Sequence, residues 1–103
     1  MSYEVNEYLM AARILIEDVY ENLKNGKLEA LPTSEQLKEP IRIAVEAFFL
    51  SDYKSMDQAK SIENIIRTLY IENKPVSLLN PIDVLSAADS FESMIPKKMH
   101  PRR

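Results

Sequence analysis

The stretch EVNEYLMAARILIEDVYENLKNG, residues 4–26, decides the fold class. Val5, Leu9, Ala12, Ile16, Val19 and Leu23 recur at alternating spacings of four and three, the seam of a packed helix. The spacing predicts a helix from about Glu4 to Asn25. Gly26 follows where a C-terminal cap needs a left-handed residue, and Lys24 in the last turn suits the helix dipole. Tyr3, Met10 and Ile14 lie off the seam. With Tyr8, Leu15 and Tyr20 they make the middle of this helix apolar around much of its circumference. A helix of that kind either sits among several neighbours or turns one side to a partner.

Working outward, Thr33 and Gln36 form a capping-box pattern at the start of a second helix. Pro40 then interrupts it. Inside a helix it would forfeit the hydrogen bond to the Gln36 carbonyl and crowd that carbonyl, whereas at a first helical position it is comfortable. The expectation is therefore a short turn over 34–38 and a main helix over 40–51, with one kinked helix as the alternative. Ile41 to Leu50 is apolar except for Arg42 and Glu46, four apart and able to pair. Ser55 with Gln58 opens a third helix, about 56–73, with Ala59, Ile62, Ile66, Leu69 and Tyr70 on its stripe and Ile65 behind them. Glu63 precedes Arg67 by four, and Asn73 and Pro75 close the helix. A short apolar connection, Val76 to Leu79, has no partner strand to join. Asn80-Pro81-Ile82-Asp83 starts a fourth helix, about 81–95, with Val84, Leu85, Ala88, Phe91 and Ile95 inward. Four helices with modest connections predict an all-α, small four-helix bundle-like domain over 1–95.

Composition narrows the chemistry. The 103 residues contain no cysteine, which excludes disulfides, thiolate metal sites and thiol nucleophiles. A single glycine argues against phosphate-binding loops and dinucleotide folds. A membrane span needs about 20 predominantly apolar residues, and the longest unbroken apolar runs, Tyr8 to Ala12 and Ala47 to Leu50, fall far short of it. Acids stand near the N-terminus where a targeting peptide would carry positive charge, so a cytoplasmic protein is expected.

The net charge of −3 conceals an asymmetry. Lys97, Lys98, Arg102 and Arg103 are four of the 13 basic residues; without them nine basic residues face 16 acidic ones, a body of −7 against a tail of +4. Pro96 and Pro101 bracket residues without helical periodicity, so 96–103 is expected to be a flexible, disordered basic tail. It either keeps the chain soluble or grips an acidic partner or phosphates. The acidic body itself is poor material for nucleic acid.

The one histidine, His100, lies in that tail without a second histidine or a cysteine to share a metal. Glu17, Asp18 and Glu21 cluster on the first helix, but no facing acidic pair completes a cation site. They read as a solvated face or as a docking patch for a basic segment, Lys97, Lys98, Arg102 and Arg103 among the candidates. The aromatics lie on apolar stripes or near acids rather than among basic residues, unlike a base-stacking platform. The informative surplus is apolar. Phe48-Phe49 and the off-seam pair Met10 and Ile14 are difficult to bury together in one small bundle, and aromatics and methionine are enriched at protein contacts. The sequence thus points to a non-enzymatic protein-binding module: a small adaptor, chaperone or inhibitor that sequesters a partner or forms a homodimer. Met10, Ile14, Phe48 and Phe49 are its expected contacts, and no cofactor or metal is implied. A nucleic-acid-associated regulator using the basic tail is the alternative, and a metal-dependent all-α enzyme ranks last.

Overall fold

The computed structural model describes residues 3–51 and 55–95. The basic tail expected over 96–103, with Lys97, Lys98, Arg102 and Arg103, lies outside those residues. Four α-helices follow one another: α1 (Tyr3–Lys24), α2 (Ser34–Leu50), α3 (Met56–Ile66) and α4 (Pro81–Met94), with no strand among the described residues. The radius of gyration is 12.9 Å, against about 13 Å for a folded chain of 100 residues. None of the described helices is long and apolar enough to cross a membrane.

The helix ends follow the local signals. Gly26 has φ +72°, and the bonds Lys27 N–H to Asn22 carbonyl (2.8 Å) and Gly26 N–H to Leu23 carbonyl (3.3 Å) close α1 as a Schellman cap. Thr33 and Gln36 satisfy each other's backbone N–H groups at the start of α2. Ser55 accepts from the Gln58 N–H, and Asn80 accepts from the Ile82 N–H with Pro81 at the first helical position. The apolar connection Val76 to Leu79 forms a 3-10 turn that buries Val76 and Leu79.

One expectation is corrected at Pro40. The helix does not begin there; α2 runs unbroken from Ser34, with Pro40 in its interior. The capping box nucleates the first turn, and Leu37 is wholly buried, so that turn contributes to the core. Another correction concerns the end of the third helix. Helical structure continues past α3, but Arg67–Ile71 is a wider π turn, closed by Glu72 N–H to Arg67 carbonyl at 2.8 Å. Asn73, at φ +52°, takes the left-handed position that ends it, and Lys74 N–H reaches back to the Thr68 carbonyl at 2.8 Å. The anticipated Glu63–Arg67 pair is absent; Arg67 donates to Asn64 Oδ1 at 3.5 Å instead. Exposed ion pairs contribute only about 0–1 kcal/mol, so a nearby amide competes on equal terms.

A single core unites the helices. The α1 seam Leu9, Ala12, Ile16 and Val19 joins Leu37, Ile41, Ala44 and Phe48 of α2, Ile62 and Ile65 of α3, and Val84, Ala87, Ala88 and Phe91 of α4. α1 packs against α4 and α2, and α4 also packs against α3. The small Ala87, Ala88 and Ser90 let neighbouring backbones approach α4 closely. Ser90, though buried, donates its hydroxyl to the Ser86 carbonyl at 2.9 Å and leaves no unmet polar group there. This packing turns α4 relative to expectation: Ala87 is buried, and Leu85 stands partly in solvent.

Candidate functional site

The four contact residues expected from the sequence are separated by the fold. Phe48 is 0% exposed and belongs to the core, which removes it from any surface of this fold. Its neighbour Phe49, a helical step of about 100° away, is 37% exposed and meets the Phe48 ring edge-on at 5.2 Å between centroids. Met10 is half-buried against the core. Ile14 is 47% exposed, on an outer stripe of α1 shared with Glu7, Ala11, Asp18 and Glu21.

The acidic cluster is also divided. Asp18 and Glu21 are exposed, but Glu17 is half-buried and accepts from Arg13 Nη1 at 2.9 Å. Arg13 is 7% exposed, and its Nε has no hydrogen-bond partner. Sequence reading missed this arginine because it lies beside the seam rather than on it, between the positions of Leu9 and Ile16. The available signal was the spacing of four from Arg13 to Glu17. A guanidinium so enclosed depends on its one carboxylate, so Glu17 is a structural partner as much as a surface charge.

A second polar cluster joins α2 to the widened turn after α3. Tyr70 donates its hydroxyl to the Lys38 carbonyl, and the Lys38 ammonium lies 5.9 Å from the centre of the Tyr70 ring. Lys38 Nζ also reaches Asn73 Oδ1 at 3.3 Å and Glu35 at 3.4 Å, while Ser34 Oγ donates to the Lys74 carbonyl at 3.0 Å. Next along the helix, Arg42 bridges Glu39 at 3.1 Å and Glu46 at 3.0 Å, so the expected Arg42–Glu46 pair is present and shared. Glu39 first, and Glu46 after it, hold the Arg42 guanidinium above its ordinary pKa. Burial pushes the Tyr70 phenol up, against the opposing pull of Arg42.

The surface also carries apolar residues that sequence reading did not single out. Leu78, Ile82 and Leu85 stand exposed within eight residues, Ile82 at 73%. Ile82 and Leu85 are three apart on α4 and share a face, opposite the buried arc of Val84, Ala87, Ala88 and Phe91. Leu50, at 85%, and Met56 flank the connection between α2 and α3. The signal for Ile82 was legible: it lies about 200° around the helix from Val84, off the inward stripe. Chemically, such a strip offers apolar area to another surface. Among the described residues no group of three or more histidine, aspartate or glutamate side chains could hold a metal ion. No protein-family model matches the chain, and neither a curated protein nor a solved structure matches it significantly.

Proposed function

We propose that the protein is a non-enzymatic protein-binding module that docks a partner on its exposed apolar side chains, with Leu78, Ile82 and Leu85 as the principal contacts. The observation that supports this reading is the exposure of three large aliphatic residues within eight positions, Leu78 in the turn before α4 and Ile82 and Leu85 on the side of α4 turned away from the core. Folding leaves them in water, and burying one such side chain contributes about 1.5–3 kcal/mol, so a partner that covers the strip gains from each. Ile14 and Phe49 supply secondary contacts at the positions anticipated from sequence, and Phe48 does not take part. The nucleic-acid alternative rests on Lys97 to Arg103, outside the described residues, and has no support among the others.

Ile82→Asp tests the reading, because it places a charge in the strip without touching the core. Wild type and variant are compared by sedimentation equilibrium for self-association and by parallel affinity capture for other partners. Circular dichroism checks that the helices persist. Loss of a specific complex, homomeric or heteromeric, with helicity unchanged is the expected result. Identical association of both proteins, or a wild type that binds neither itself nor any partner, overturns the reading.

A further inference from the structure

Pro40 leaves α2 weak at one turn. It has no N–H to give the Gln36 carbonyl, and its ring crowds that carbonyl. It also disfavours helical geometry at the preceding residue, Glu39, which relaxes to an extended conformation when nothing holds it. Tyr70 stands against this turn. Its hydroxyl donates to the Lys38 carbonyl, which in a regular helix accepts only from the Arg42 N–H. The phenol is therefore inserted beside the ladder, two residues from the proline.

Two more bonds join the same segments, Ser34 Oγ to the Lys74 carbonyl and Lys38 Nζ to Asn73 Oδ1. Within 34–39 only Leu37 is buried; Glu35, Gln36 and Glu39 are exposed. One apolar anchor, Leu37, and a few directional bonds thus hold the first turn and a half of α2, while the helix beyond Pro40 is anchored by three buried residues, Ile41, Ala44 and Phe48.

We propose that residues 34–39 form a hinged segment, clasped shut by Tyr70, which opens about Pro40 independently of the rest of the fold and uncovers Leu37. The widened turn at 67–71 serves the clasp by bringing the Tyr70 hydroxyl to the Lys38 carbonyl. A proline in the interior of a helix is a cost unless another contact offsets it or the weakness is used. Here both hold: the clasp offsets it in the closed state, and its release gives local opening.

Amide hydrogen exchange on the full chain tests this. In Tyr70→Phe the amides of Leu37, Lys38, Glu39, Ile41 and Arg42 should exchange about tenfold faster, the effect of one hydrogen bond of about 1.4 kcal/mol. Amides of Ile16 in α1 and Ala88 in α4, which open only with the whole fold, should stay far better protected than these in both proteins. Low denaturant should speed their exchange but not that of 37–42. Adding Pro40→Ala, which restores the ladder bond to Gln36, should return protection to near the wild-type level. Unchanged exchange over 37–42 in Tyr70→Phe overturns the proposal. So does exchange over 37–42 that matches Ile16 and Ala88 in protection and in denaturant dependence, which would mean that these residues open only with the whole fold, and so does a failure of Pro40→Ala to restore protection.

Discussion

The contact between α1 and α4 and the contact between α2 and the turn after α3 hold the chain together by different means. The first is apolar and interlocked: Leu9, Ala12, Ile16 and Val19 share a core with Val84, Ala87, Ala88 and Phe91, all nearly or wholly buried. The second is polar and made of separable bonds, through Ser34, Lys38, Tyr70 and Asn73. Packing in the first is non-directional and shared among many atoms, so any gap is felt by the whole fold. In the second each bond has its own geometry and a modest net effect, so it can be lost alone. Stability and local freedom are thereby assigned to different parts of one small domain.

The comparison is broken most severely at Phe91. Phe91→Ala should cost about 3–5 kcal/mol, since it empties a buried volume at the core, and chemical denaturation should show one cooperative transition at a much lower midpoint. A smaller effect is expected at Glu17, which tests the charge that α1 buries beside its apolar seam, Arg13. Glu17→Gln leaves the Arg13 guanidinium enclosed with a weaker partner and should cost about 1–3 kcal/mol, measured in the same way. Loss of that effect in the double variant with Arg13→Met would attribute it to the pair.

The smallest effect belongs to the polar contact. Tyr70→Phe should lower global stability by about 1 kcal/mol at neutral pH. Burial raises the Tyr70 pKa, so the fold favours the neutral phenol. Its contribution is fully present below the unfolded value of about 10 and drains away as pH rises from there through the higher folded value. The measurement is the difference in melting temperature between wild type and Tyr70→Phe across that window. The gap should close as the solution becomes alkaline; a gap that stays constant would mean that the phenolic proton is not what holds Lys38.

Much of this architecture is readable along the chain because its signals are local. The Leu9, Ala12, Ile16, Val19 seam reports burial through helical spacing, and Gly26 reports a backbone angle that other residues resist. The candidate site was less legible. Phe48 and Phe49 look alike as adjacent letters, and only the rotation of α2 against its neighbours buries the first and leaves the second at the surface. Leu85 and Ala87 exchanged places for the same reason: α4 turned to bring its small residues toward the other helices.

The sequence by itself determined the all-helical class, the caps at Gly26, Thr33, Ser55 and Asn80, and the core stripe of α1, because caps, left-handed residues and periodicity act over four or five neighbouring residues. Tertiary structure alone decided that Pro40 lies inside a helix, that Arg13 is enclosed with Glu17, and which apolar residues remain in water. Each of those outcomes depends on a group distant in sequence or on the angle at which one helix meets another: Tyr70 stands 30 residues beyond Pro40, and no local propensity encodes its arrival at the Lys38 carbonyl.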